Sequence, residues 1–336
     1  MLDQLVTLFP EVDPVAVAAA SPRFYLVEYG RSAVMIEEGE VDAAVLFVLS
    51  GHIVVSTGLF EIATSGRGTI LGEIGLFGGA LRMATVRAVA PTQALVLDRA
   101  DYLALIEQGS PVAWAVERVA LRQLAGRLRE VDARLASLVE TGTTPPAEGE
   151  EARGAADTRR TRDILDLLAK SSLFEGAPIG VLDDLATRME PVRFDDGQML
   201  CREGHKGDSV YIVAEGTVDI VITGSGGTGE SVAILQAGDV FGLASILEDR
   251  PRMASCFARG PLRALRLPAG AFRELVHADG TAGSVFRVAL LRALGDQVAY
   301  ANAQFGQLQM ARRKRSSELL ARLGIEAHGR HVTREA

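Results

Sequence analysis

The apolar positions of this chain change their spacing several times, and each change marks a different kind of element. Residues 1–20 carry short apolar stretches broken at Pro10 and Pro14, which predicts two short helices. From Phe24 to about Leu97, brief β-rich runs alternate with glycines, at 32–36, 44–49, 52–57, 60–64, 83–89 and 94–97. Many short strands joined by glycine turns predict an antiparallel roll or barrel. Helical spacing then takes over at 100–107 and 111–139, with Pro111 suited to a first helical position. Residues 141–160 mix Pro, Gly and charge without apolar periodicity, which reads as a flexible linker.

After the linker the pattern starts again. Glu38-Gly39 returns as Glu203-Gly204, Val45-Leu46-Phe47-Val48 as Val210-Tyr211-Ile212-Val213, and Gly51 as Gly216, all at an offset of 165. Gly72, Arg82 and Met83-Ala84 return as Gly242, Arg252 and Met253-Ala254 at an offset of 170. The five extra residues fall where the second copy carries the glycine-rich stretch 223–229, the expected place for a lengthened hairpin tip. A repeat whose single insertion lies in a turn predicts two copies of one domain. The fold class expected is therefore mainly β with flanking helices: two antiparallel β-rolls, each followed by a long helix. The divisions expected are a first domain at 1–140, the linker at 141–160, a second domain at 161–310 and a basic helical or polar tail at 311–336.

The long helices repeat as well. Leu121, Leu124, Leu128, Val131, Leu135 and Leu138 step by threes and fours, and so do Leu291, Leu294, Val298, Ala301, Phe305 and Leu308. That spacing is a coiled-coil seam, which predicts a parallel homodimer through the 111–139 helix, with Arg127 and Asp132 at flanking heptad positions suited to cross-chain pairing. The same stripes would also serve if each packed on its own roll, or if the two seams met within one chain.

One stretch of the first copy carries chemistry. In Leu71-Gly72-Glu73-Ile74-Gly75-Leu76, followed by Arg82-Met83-Ala84-Thr85, the glycines allow close backbone approach to a ligand. A helix starting near Glu73 would present free N–H groups to an anion, and Arg82 would add a bidentate contact to a phosphate. A carboxylate beside such an anion site serves only as an acceptor for hydroxyls, so the set describes a sugar phosphate. An ordinary surface turn with an ion pair is the plainer alternative.

Composition narrows the remaining choices. The 336 residues are 48% hydrophobic and 23% charged, with a net charge of −8 that disfavours broad nucleic-acid binding. Two cysteines, Cys201 and Cys256, make no disulfide framework; they read as small buried hydrophobes in a reducing compartment. Met1-Leu2-Asp3-Gln4 lacks a basic leader and no run of about 18 apolar residues exists, so a cytoplasmic protein without a membrane span is expected. Stretch 223–229 lacks the Lys-(Ser/Thr) ending of a phosphate loop. His328 and His331 sit in a polar tail without acidic or cysteine companions, and no metal spacing or catalytic triad stands out, so an enzyme is not expected and neither metal nor cofactor is. Arg312-Arg313-Lys314-Arg315 reads as a solvated helix extension.

The cassette at 71–85, with the Glu38-Gly39 and Gly51 turns, resembles the cyclic nucleotide-binding domain family, which includes the bacterial catabolite activator protein and the regulatory subunit of cyclic-AMP-dependent protein kinase. The resemblance covers about 1–140 and 161–310, with Leu71 in place of the usual aromatic. It implies that Glu73 takes the ribose 2′-hydroxyl, that Arg82 takes the cyclic phosphate, and that the backbone of Gly72, Ile74, Ala84 and Thr85 completes the cradle. It also implies that the helix after the roll closes over the base near Glu130–Asp132. Trp114 reads as core, with a base-stacking lid as the alternative. The second copy, Phe241-Gly242-Leu243-Ala244-Ser245-Ile246, has Leu243 where the acid belongs while Arg252, Met253, Ala254 and Ser255 remain, so its site is expected to be impaired. Met83 and Met253, where a threonine would favour guanine, lean toward cyclic AMP over cyclic GMP. The function expected is a tandem cyclic nucleotide receptor whose first site moves its helix to control self-association or a protein effector. The alternatives are a ligand-indifferent scaffold and a DNA-linked regulator; only 28 residues follow Leu308, too few for the usual winged helix, so DNA binding is disfavoured.

Overall fold

A computed structural model of the chain describes residues 1–41, 44–58, 60–78, 81–138, 151–157, 161–223 and 229–322. Helix makes up 45% of it and strand 31%, because two very long helices accompany the antiparallel rolls. The first repeat opens with α1 (Leu2–Leu8) and α2 (Pro14–Ala20), the latter capped by the Asp13 side chain and started by a proline. Strands β1 (Tyr25–Tyr29), β2 (Val34–Ile36), β3 (Val45–Ser50), β4 (His52–Thr57), β5 (Phe60–Gly66) and β6 (Ile70–Leu71) follow. Next come α3 (Glu73–Gly78), β7 (Thr85–Ala88), β8 (Thr92–Leu97), α4 (Arg99–Glu107) and α5 (Pro111–Leu138). Two four-stranded antiparallel sheets result, in the orders β1-β8-β3-β6 and β2-β7-β4-β5. Glycine is required at the corner between β3 and β4: a Cβ on Gly51 would lie 2.3 Å from the Thr92 hydroxyl oxygen.

The second repeat runs from β9 (Ala155–Ala156) through α6 (Thr161–Lys170), α7 (Ile179–Arg188), β10 (Glu190–Phe194) and β11 (Met199–Cys201). It continues with β12 (Ser209–Thr223), β13 (Gly229–Leu235), β14 (Val240–Phe241), α8 (Leu243–Leu247), β15 (Ser255–Pro268), α9 (Ala269–His277) and α10 (Gly280–Arg322). Here β12 runs unbroken through the positions of β3 and β4, and β15 through those of β7 and β8, so the strands join one sheet around β13-β12-β15-β10-β9. Strands β12 and β13 flank the expected hairpin tip, most of which lies outside the described residues. The tail is helical as far as Arg322, and His328 and His331 also lie outside them.

Two segments read from the sequence acquire definite partners in the structure. The described end of the 141–160 linker is not a free spacer: Ala155 and Ala156 pair with Arg193 and Val192 of β10, and Ala152 N–H donates to the Met199 carbonyl at 2.8 Å. The α5 seam is filled within the single chain, one of the arrangements its spacing allows. Leu121 and Leu124 are fully buried within the single chain because α5 packs along α10, whose Leu291 and Leu294 are buried in the same core. That core joins both rolls, reaching from Phe9 and Phe47 of the first to Val210 and Ile212 of the second. Homodimerisation through the α5 seam would require this core to open.

Two residues mark the centre of the helix pair. Glu117 of α5 and Arg287 of α10 are wholly buried, with Nε donating to Oε2 at 2.7 Å. Tyr102 and Ser284 hydroxyls both donate to the other carboxylate oxygen at 2.6 Å. Burial and this carboxylate push the Tyr102 hydroxyl far above its ordinary range, so it stays a donor. Glu117 and Arg287 are 170 positions apart, the offset of the repeat, so equivalent places in the two copies meet each other. Only residues on a two-fold axis of exchange do so, and the two copies are therefore arranged as the halves of a pseudosymmetric dimer within one chain.

Candidate ligand sites in the two rolls

The turn from β6 into α3 builds the first site. Gly72 adopts φ +83°, and a Cβ there would lie 2.2 Å from Nη1 of Arg82 and 2.5 Å from the Ala44 carbonyl oxygen. Only glycine therefore lets the chain pass over the buried arginine. Arg82, 4% exposed, donates from Nη1 to the Gly72 carbonyl at 3.0 Å and from Nη2 to the Ala44 carbonyl at 2.7 Å. These bonds fix the guanidinium plane at the floor of a cavity of about 1500 Å³ lined by Gly72, Glu73, Ile74, Arg82, Met83 and Ala84. Glu73 is 1% exposed; its Oε1 accepts from Arg127 of α5, and its Oε2 is buried without a hydrogen-bond partner among the described residues.

Arg127 is the residue that sequence reasoning placed elsewhere. Instead of reaching a second chain, it bonds Glu73 and the Ile70 carbonyl of its own repeat. Gln123, one turn earlier, accepts from Ile70 N–H at 2.7 Å and donates to the Gly68 carbonyl at 2.6 Å. Helix α5 is thus tied directly to the strand that leads into the cassette. A charge at a heptad flank looks the same in sequence whichever partner it finds, so only the packing reveals this one.

Thr85 lies outside the cavity lining; its hydroxyl accepts from Glu38 N–H at 3.1 Å. Ser255 is likewise outside the second cavity and accepts from Glu203 N–H at 3.1 Å. Both hydroxyls brace the preceding turn, and the cradle role expected of Thr85 belongs to its backbone. The Ile74 side chain is turned to the other repeat: a Cβ on Gly295 of α10 would come within 3.3 Å of it. Trp114 is half-buried and lines neither cavity.

The second cavity, about 850 Å³, is lined by Gly242, Leu243, Arg252, Met253 and Ala254 at the corresponding places. Arg252 repeats the anchoring of Arg82, donating to the Gly242 carbonyl at 2.8 Å and the Ser209 carbonyl at 2.7 Å, and adds the Ser245 hydroxyl at 2.9 Å. Leu243 is 2% exposed and cannot accept. At the place of Arg127 stands Gln297, which donates to the Val240 carbonyl at 2.5 Å, so the contact equivalent to Arg127–Ile70 is kept while the acid and its counter-charge are both absent.

Each cavity is completed by the long helix of the other repeat. Val298, Asn302 and Phe305 of α10 line the first, and Leu128, Asp132 and Leu135 of α5 line the second, at matching positions. Asp132, expected near its own repeat's base, thus faces the opposite roll, while Glu130 stays with its own. Electrostatics differ as well. The described lining of the first cavity balances Glu38, Glu61, Glu73 and Glu130 with Arg67, Arg82, Arg127 and Arg134. That of the second sets Asp132, Glu175, Asp239 and Asp296 against only Arg252 and Arg292. Burial pushes the Asp132 carboxyl up to about 7 against the pull of Arg129, and burial with the Asp239 charge raises Asp296. No helix among the described residues is long and apolar enough to cross a membrane.

The chain is similar to known proteins over much of its length. Over 248 residues the chain is 26% identical to the cGMP-dependent protein kinase egl-4 of Caenorhabditis briggsae, which covers 72% of this chain and 26% of that one. Over 94 residues it is 36% identical to the cAMP-dependent protein kinase regulatory subunit of Dictyostelium discoideum, covering 27% of this chain and 29% of that one. The chain thus spans between a quarter and a third of these relatives' lengths. Among solved structures, the regulatory domain of Toxoplasma gondii PKA with cAMP matches over 85% of this chain and 94% of that one, at 20% identity and a TM-score of 0.35. The Thermus thermophilus catabolite activator protein matches over 41% and 73%, at 27% identity and a TM-score of 0.32. The family model described as the cyclic nucleotide-binding domain matches residues 26–109 and 191–279, just over half of the sequence and one match for each roll. The chain belongs to the cyclic nucleotide-binding domain family and carries the domain twice.

Proposed function

We propose that this chain is a non-catalytic regulatory protein that binds a cyclic nucleotide, cyclic AMP in preference to cyclic GMP, in its first roll and binds it far more weakly in its second. One observation carries the reading: Glu73 Oε2 is buried without a hydrogen-bond partner among the described residues, in a cavity that the buried Arg82 also lines. A buried carboxylate oxygen without a donor costs free energy that a ligand hydroxyl would recover. The ribose 2′-hydroxyl donates to that oxygen, and the cyclic phosphate lies against Arg82 and the Gly72–Ile74 backbone, with Met83 and Ala84 at the rim. Leu243 and the carboxylates around the second cavity disfavour the same anion there.

The regulatory step runs through α5. Arg127 holds both the Glu73 carboxylate and the strand before it, so a ribose at Glu73 alters the contact that ties α5 to the roll. Since α5 lies along α10 and both helices line both cavities, occupation of the first roll is transmitted to the helix pair and from there to a protein effector. The two rolls divide near the segment 141–160, with the second extending to about 310. Isothermal titration with cyclic AMP and cyclic GMP tests the proposal. One strong site that vanishes in Arg82→Ala supports it; no binding by the wild-type chain, or undiminished binding by that variant, refutes it and leaves a ligand-indifferent scaffold.

A further inference from the structure

We propose that Cys201 and Cys256 form a dithiol site on the floor of the second cavity, which closes to an intrachain disulfide when a peroxide enters. They are the only two cysteines in the sequence, and they stand directly opposite one another on the antiparallel strands β11 and β15. Opposed residues of an antiparallel pair project from the same face, with Cα atoms roughly 4.5–5.5 Å apart. A disulfide needs about 4.4–6.8 Å, so the register allows the bond without moving the strands. Both side chains are buried in the protein and line the cavity, which gives a small oxidant its route.

The first repeat supplies the internal comparison. Its equivalent positions are Ile36 and Val86, opposed in the same register with the same irregularity one residue earlier. An aliphatic pair is therefore sufficient to fill this floor, and packing alone does not call for sulfur at both places. The thiols also interact. Their mutual interaction and the Arg252 charge hold Cys201 below the ordinary thiol range, while that interaction and burial push Cys256 above it. Arg252 lines the same cavity and favours a thiolate there, so one sulfur serves as the nucleophile and the other resolves it.

The chemistry balances with hydrogen peroxide as oxidant. Cys201 thiolate attacks one peroxide oxygen; the O–O bond breaks, leaving a sulfenic acid and a hydroxide that takes up the proton Cys201 released. Cys256 Sγ then attacks the sulfenic sulfur, the S–O bond breaks, and the Cys256 proton leaves with the hydroxyl as water. Two thiols lose two electrons, one peroxide gains them, and two waters form. A thiol reductant restores the pair. The site stands apart from the first roll and does not depend on cyclic nucleotide binding.

The test treats the native full-length chain with hydrogen peroxide, removes the peroxide, unfolds the chain in acid denaturant, alkylates the remaining thiols and maps peptides without reduction. The expected result is a Cys201–Cys256 linked peptide, a mass loss of two hydrogens, joint disappearance of both alkylatable thiols, and reversal by dithiothreitol. Oxidation of the exposed Met83 reports the dose. The double variant Cys201→Ile/Cys256→Val, which installs the pair of the first repeat, should fold and lose no hydrogens. Phenylarsine oxide, which bridges two close thiols, should block oxidation of the wild type and leave the double variant unlabelled. Both thiols still alkylatable once Met83 is oxidised, a disulfide between two chains, or a sulfinic acid without a cross-link would overturn the proposal.

Discussion

Arg127 of α5 binds the Glu73 carboxylate in the first roll, and the equivalent residues of the second roll are Gln297 and Leu243. Each pair is consistent within itself. A glutamate facing glutamine would bury a carboxylate without a counter-charge, and a leucine facing arginine would leave the cation a backbone carbonyl but no carboxylate. The difference between the sites is therefore a property of two residues on two elements.

Replacing Glu73 by leucine, the residue of the second roll, removes the acceptor for a ribose hydroxyl. An unpartnered hydroxyl costs about 1–3 kcal/mol, so cyclic AMP binding should weaken by roughly 5- to 150-fold. Isothermal titration measures it, and a change smaller than twofold would show that the carboxylate does not meet the ligand.

The reverse exchange should need both residues. Leu243→Glu alone buries an acid in a cavity already rich in carboxylates and should destabilise the chain by about 1–3 kcal/mol. Adding Gln297→Arg should recover most of that loss and raise nucleotide binding in the second roll. Urea denaturation of the three variants, with and without cyclic AMP, separates the outcomes.

Gly72→Ala forces a side chain into left-handed backbone and against Arg82. A loss of on the order of 1–3 kcal/mol in stability is expected from the strain. Displacing Arg82 should also weaken ligand binding at least about tenfold, as expected when a charge-assisted contact is lost. Binding equal to wild type would mean that Arg82 does not need its present seat.

Stability should depend on Asp132 between pH 4 and 7. Its carboxyl titrates near 7 in the folded protein against an ordinary value of 3.8, so the folded state holds the proton more tightly than the unfolded one. The stabilisation is complete below about pH 4 and is lost as pH rises through 7. Asp132→Asn should accordingly match wild type at pH 4 and exceed it at pH 8 by about 1–3 kcal/mol, allowing for partial solvent screening. Denaturation midpoints across that range check the sign; a gap that does not widen with pH would contradict it.

Breaking the Glu117–Arg287 pair should be costly. Arg287→Met leaves a buried carboxylate facing two hydroxyls and should cost about 3–5 kcal/mol. Glu117→Leu together with Arg287→Met should cost far less than the two singles added, which a double-mutant cycle of denaturation energies resolves.

Much of this architecture was legible in the residues, for reasons that can be named. The glycines at 51, 72, 216 and 242 all adopt positive φ, and such positions leave a mark in sequence that helps fix the offset between copies. Strands β3 and β4 announced themselves because their residues are β-branched or apolar between turn glycines. By contrast β1, mostly exposed, and β9, two alanines paired through backbone alone, offer no side-chain pattern to read. The heptad spacing of α5 showed that one face required a partner. It did not say whose, because a/d seams meet equally well within a chain or between chains. Gly72, Glu73, Ile74, Arg82, Met83 and Ala84 line one cavity, while the hydroxyls of Thr85 and Ser255 bond to the turns. The helices crossing over to the opposite cavity could not be read locally at all, since that depends on how two distant repeats dock.

The meeting of Glu117 with Arg287 also bears on self-recognition. In a dimer of identical subunits, the residue on the symmetry axis faces itself, so two α5 helices from separate chains would set Glu117 against Glu117 in a dry core. Two α10 helices would likewise oppose Arg287 to Arg287. Joining unlike halves in one chain lets the axis carry opposite charges, and that one position favours the pairing of α5 with α10 while penalising both exchanges between neighbouring molecules.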